Sequence, residues 1–115
     1  MTNVILLERD RFYFWFKLKS MNLSGLHQNN LALSIVPIVR NGEGTLIAIH
    51  LEAGGELKKH KTAVPAILIC VSGRVRYETV EGEQRDLQPG DVVHIPIDVE
   101  HWLLGQEQAE LLLMK

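Results

Sequence analysis

From residue 12 to residue 114 the chain reads as short alternating segments cut at close intervals by turn residues. That rhythm restricts the fold more than any other feature. Successive side chains on a strand point to opposite faces of a sheet, so alternation at every second residue marks a strand with one face in a core. In residues 12–19, Phe12, Phe14, Phe16 and Leu18 share one face, and Tyr13, Trp15, Lys17 and Lys19 take the other. Residues 45–52 set Ile47, Ile49 and Leu51 against Leu46, Ala48, His50 and Glu52. Between them, residues 31–40 are apolar and β-branched and run into Asn41-Gly42, a strong hairpin signal between two β-rich runs. Further strands are expected at 56–60, 66–71, 74–79, 83–87, 91–95 and 110–114. The turns between them are Ser72-Gly73, Glu81-Gly82 and Gln88-Pro89-Gly90-Asp91. Residues 20–30, rich in Asn, Ser and Gly, read as a loop, and no segment carries a helical period. Many short strands at close spacing imply an all-β sandwich or barrel.

A chain of 115 residues suits one domain. The expected division is an N-terminal strand and loop over 1–30 and a barrel over 31–115. The net charge of −2 and scattered basic residues offer no electrostatic footprint for nucleic acid. The short Lys58-Lys59-His60-Lys61 stretch reads as a solvated strand edge. Neither apolar N-terminal stretch reaches the length of a membrane span, and no small-residue cleavage site follows, so the chain reads as soluble and unexported. The single cysteine, Cys70, sits in the apolar run Ile67-Leu68-Ile69-Cys70-Val71 and reads as a small buried hydrophobe. A reducing, cytoplasmic setting is the expectation.

Two spacings carry a resemblance. Gly54, His60 and Gly73 fall on the motif G-x5-H-x-H-x3,4-E-x6-G, and Gly90, Pro96 and His101 fall on G-x5-P-x-G-x2-H-x3-N. These stretches, 54–73 and 90–105, resemble the two motifs of the cupin superfamily. The resemblance implies a cupin jelly-roll β-barrel with a site inside it. The glycines are sensible on physical grounds, because tight turns at Gly73 and Gly90 need a residue that tolerates positive φ.

In metal-binding cupins two histidines and a glutamate from the first motif, with one histidine from the second, hold a divalent ion. Here the second histidine position is Thr62, the glutamate position is Ala66 or Ile67, the second-motif glycine is Asp98 and its asparagine is Gly105. His60 and His101 remain, half of the usual set. Two imidazoles alone hold Zn, Ni, Mn or Fe weakly. A third donor is first sought at His94, on a strand leading towards His101, and next at His50, Glu52 or Glu56. Beside this stands a structural reading: His60 as a strand-end residue, His101 bonded to backbone near Trp102, and His94 as a satisfied polar residue on an outer face. Two histidines in one mostly apolar pocket, without a metal, should have lowered pKa values, since desolvation and like charge both oppose protonation. Alternation from His60 predicts a pocket lined by Thr62, Val64, Ala66, Leu68 and Cys70.

Three functions compete. The first is a module that binds a small molecule in the barrel without turnover. The second is a divalent-metal cupin enzyme of the dioxygenase or isomerase kind, or a metal-free one, using His60 and His101. The third is a structural or interaction role. Serine-hydrolase, phosphate-loop and nucleotide-binding motifs are absent. The aromatic run at 12–16 and the resemblance together imply a homodimer.

Overall fold

The computed structural model describes residues 20–27 and 31–115. The strand expected at 12–19 lies outside the described residues. Within 20–30, expected to be a loop, Leu23–Leu26 forms one 3-10 turn capped by Asn22, whose side chain accepts the Ser24 N–H at 3.0 Å.

The strands are β1 (Leu33–Asn41), β2 (Gly44–Leu51), β3 (Glu56–His60), β4 (Ala66–Ser72), β5 (Val75–Thr79), β6 (Gln84–Leu87), β7 (Val92–Ile95), β8 (His101–Gly105) and β9 (Ala109–Met114). A five-stranded sheet in the order β1-β2-β9-β4-β7 faces a four-stranded sheet in the order β3-β8-β5-β6, with every pairing antiparallel. This is the expected all-β jelly roll. β8 is absent from the sequence reading. Its inward residues, His101, Leu103 and Gly105, are separated by Trp102 and Leu104, which are also apolar, so no alternation shows.

The core lies between the sheets. Ile49, Leu51, Leu68, Cys70 and Leu111 come from the larger sheet, and Val75, Tyr77 and Leu103 from the smaller. The β1–β2 hairpin forms where Asn41-Gly42 predicts it, by a different device. Gly42 does not use positive φ; instead the Asn41 side chain accepts the N–H groups of Glu43 and Gly44 at 2.8 and 3.1 Å. Pro37 is tolerated within β1 because β1 is an edge strand among the described residues, and the register shifts between Pro37 and Val39. Gly73 has a steric reason besides its φ of 80°: a Cβ there would lie 2.0 Å from the Gln108 carbonyl oxygen. Among the described residues no helix is long and apolar enough to cross a membrane.

Candidate ligand site at the barrel end

His60 ends β3 and His101 begins β8, and the two are register partners. Simple alternation would not put them on one face. From Leu57, which pairs with Leu103, two steps along β8 reach His101, whereas three steps along β3 reach His60. The extra residue makes a bulge at Lys58-Lys59, which turns His60 to the side that His101 occupies. Lys59 points the other way, its ammonium 5.5 Å from the Trp102 ring centroid.

The imidazole centroids of His60 and His101 lie 4.2 Å apart at an interplanar angle of 59°. Each ring is held in the same manner. His60 Nδ1 donates to the Lys58 carbonyl at 2.8 Å, and His101 Nδ1 donates to the Val99 carbonyl at 3.0 Å. A carbonyl accepts only, so Nδ1 carries the proton and, in the neutral ring, Nε2 carries the lone pair. The backbone thus fixes two acceptor atoms side by side. His60 is exposed, whereas His101 is 3% exposed. Burial, with the neighbouring His60, holds the His101 pKa below the usual imidazole value, against the opposing bond to Val99. His101 is therefore neutral at pH 7.

The remaining motif positions explain themselves physically. Thr62 is buried, but its hydroxyl donates to the Val64 carbonyl at 2.8 Å within its own turn, and its carbonyl accepts the Asp98 N–H. Asp98 stands where the motif has glycine and holds a φ of 62°, a left-handed backbone that Asp adopts more readily than most residues. At Gly105 a Cβ would lie 2.3 Å from the Glu52 carbonyl oxygen, so the motif's asparagine has no room in this chain.

The other sequence candidates are dispersed. Ala66, Leu68 and Cys70 face the interior, with Leu68 and Cys70 packed in the core at 1% and 0% exposure. Val64 does not join them. The strand breaks between His60 and Ala66, and Val64 is 47% exposed. His94 pairs with Ile67, one step out of phase with the buried Ala66–Ile95 pair, and lies exposed on the outer face. It brings no third donor to the pair. Glu56 is exposed on the outer side of β3. His50 is buried on the outer face of the large sheet, its ring nitrogens each 2.6 Å from a carboxylate oxygen of Glu110 or Glu52. Among the described residues no group of three or more His, Cys, Asp or Glu is arranged to hold a metal ion. With Thr62 engaged elsewhere and Ala66 inert, the described residues bring two imidazole donors to the pair.

Sequence reasoning passed over Tyr77. It sits beside His101, with ring centroids 5.7 Å apart, and its hydroxyl is buried with no hydrogen-bond partner among the described residues. Its place on an alternating strand was legible, but the orphaned hydroxyl depends on neighbours from other strands. A cleft of about 840 Å³ also opens at Ala66, Ile67, His94, Ile95, Leu46 and Met114, and neither His60 nor His101 lines it.

Comparison with solved structures agrees with this architecture. A conserved protein of unknown function from Streptococcus pyogenes superposes with a TM-score of 0.70 at 19% identity, covering 84% of each chain. A cupin superfamily protein from Desulfitobacterium hafniense gives 0.73 at 13% identity, over 81% of this chain and 84% of its own. KdgF from a Halomonas species gives 0.66 at 20% identity, over 76% and 83%. At these identities the likeness concerns the fold. No curated protein sequence matches. Residues 39–115 match the Cupin domain family, which takes in the paired histidines, the Gly73 turn and every strand from β2 to β9, and the chain belongs to that family.

Proposed function

We propose that this cupin binds a small molecule at the His60–His101 end of its barrel. The observation that carries the reading is the matched tethering of the two rings, each holding its Nδ1 to a backbone carbonyl and leaving its Nε2 free beside the other. Such a pair accepts hydrogen bonds, so the ligand supplies hydroxyl or N–H donors, with the apolar barrel wall taking the rest. Cys70, buried and free, is consistent with a reducing, cytoplasmic setting for this role.

A divalent-metal enzyme is the second reading. Nδ1 bonded to a carbonyl is also how a metal-ligating histidine is oriented, but a resident ion needs three or four protein donors and the pair supplies two. Elemental analysis of natively purified protein, followed by unfolding with Zn, Ni, Mn, Fe(II) or a chelator, separates the readings. The binding-module reading expects no stoichiometric metal and no stabilisation that His101→Ala abolishes. A metal at a hundred times its dissociation constant would add about 2.7 kcal/mol; that gain, lost in His101→Ala, would overturn the module in favour of the metalloenzyme.

The outer face of the large sheet supports a further proposal, that the chain acts as a homodimer. Val92 is 52% exposed and Met114 46%, beside the half-buried Ile67, Ile69 and Leu112. Sedimentation at the monomer mass would remove it.

A further inference from the structure

We propose that this protein carries a second binding site, a lateral cleft for a small neutral hydroxylated molecule of the polyol or monosaccharide class, anchored by Tyr77. Among the described residues β6 and β7 are the last strands of their respective sheets, and between them opens a cleft of about 490 Å³ lined by Tyr77, Glu83, Arg85, Asp91 and His94 among others. Neither His60 nor His101 lines it; Tyr77 stands between the cleft and the barrel-end pair, its ring 5.7 Å from that of His101.

The ligand argument starts from the tyrosine. Tyr77 is 1% exposed, and its hydroxyl has no partner among the described residues. A buried hydroxyl left unpaired costs free energy that a well-packed core avoids, and phenylalanine would fill the same space without that cost. Here the residue lines an open cleft, so a bound hydroxyl can supply what the chain does not. Arg85 is the register partner of Tyr77 and lies on the same side of the sheet, which places guanidinium donors along the same wall.

Charge narrows the class. The acidic residues of the cleft already have partners: Glu83 lies 3.6 Å from Arg85, Asp86 lies 3.3 Å from Arg76, and Asp91 accepts the Gln88 N–H at 2.8 Å. These pairings remove the need for a cationic ligand. The carboxylates also surround the one arginine of the cleft, which disfavours a phosphate or carboxylate ligand. What remains is a wall of interspersed donors and acceptors, with Arg85 donating, Glu83 and Asp91 accepting, and Tyr77 able to do both. Groups that both donate and accept match such a wall, and several hydroxyls on one small frame present them together. The volume lies within the range of small-molecule pockets.

The test is a titration of the ¹⁵N-labelled protein with glycerol, erythritol, glucose and galactose, read by ¹H–¹⁵N correlation spectra. The expected result is saturable displacement, by at least one of these probes, of amides around Tyr77, Arg85 and His94. Tyr77→Phe should weaken that binding about tenfold, the equivalent of about 1.4 kcal/mol, while leaving the remaining spectrum folded. If Tyr77→Phe disturbs the core, Arg85→Met removes the neighbouring donors from an exposed position and should weaken binding likewise. No saturable displacement by any probe, displacement centred on His60 and His101, or unchanged affinity in a folded variant would each overturn the proposal.

Discussion

The outer faces of the two sheets are built on different terms. On the four-stranded sheet the outward residues form a solvated polar lattice. Arg76 bonds Asp86 at 3.3 Å and lies 3.6 Å from Glu78, Glu78 accepts the Trp102 indole N–H at 2.8 Å, and Lys59 lies over the Trp102 ring. On the five-stranded sheet most of the corresponding positions are apolar: Leu46, Ala48, Ile67, Ile69, Val92, Leu112 and Met114. Part of that face is sealed: Ala48 is 1% exposed, and His50 and Glu110 are buried although they point away from the barrel. His27, at the end of the 3-10 turn, bonds the Ser34 hydroxyl at 2.6 Å and comes within 3.8 Å of Glu110. The barrel interior is mostly apolar on both sheets. The difference shows that inward alternation specifies the barrel, while the outward residues decide whether water or protein finishes each face.

The sharpest way to break this contrast is to remove one carboxylate from each side. Glu110→Ala leaves the His50 imidazolium short of one of its two acceptors in a buried position and should cost about 3 kcal/mol. Asp86→Ala, in an exposed pair, should cost less than about 0.5 kcal/mol. Urea unfolding of the two variants measures both, and equal losses would erase the distinction.

Next in size is pH. Burial opposes charge on His50, but hydrogen bonds to Glu52 and Glu110 outweigh it and raise its pKa. Between about pH 6.5 and that raised value the folded state holds a proton that the unfolded state has lost, so stability falls as pH rises through this window. His101 has the opposite sign. Its pKa is lowered, so below about pH 6.5 the unfolded state binds a proton that the folded state refuses, and stability falls as pH falls. His27, lowered mainly by burial and also by the charge of His50 against the pull of Glu110, adds to the acid-side loss. Unfolding of His50→Gln across pH should show the alkaline slope flattened and the acid slope kept. His101→Gln should show the reverse.

The smallest expected effect on stability sharpens the contrast most directly. Val92→Lys, on the exposed part of the apolar face, should change unfolding by less than about 0.5 kcal/mol, since it alters an exposed side chain. It should nevertheless halve the sedimenting mass of the proposed dimer. A matching charge change at Gln84, on the polar face, should leave the mass alone. If both variants keep the wild-type mass, the apolar face is not where copies meet.

Much of the barrel was legible in the sequence because it depends on local pattern. Ile47, Ile49 and Leu51 alternate cleanly, and Gly73 and Gly90 punctuate the chain where positive φ occurs. β8 escaped because Trp102 and Leu104 are apolar on its outer side. The burial of His50 was not legible, because it comes from His27 and Glu110, distant in sequence. At the site, spacing pointed to His60 and His101, but continuing the alternation to Val64 failed because the strand stops before Pro65. Register and cross-sheet neighbours are properties of pairs of strands, and one strand read alone does not contain them.

The bulge at Lys58-Lys59 gives the histidine pair an arithmetic basis. Whether His60 meets His101 is a question of parity, of an odd or even count of residues after Leu57. A substitution at Lys58 or Lys59 leaves that count intact, so those positions are free to change in character. Loss of either one, through a single deleted codon, would restore even alternation and send the residue now numbered 60 to the outer face with its imidazole unaltered. In a descendant of this chain the pair would then vanish by a change of length, while every residue that a motif search inspects for chemistry remained present.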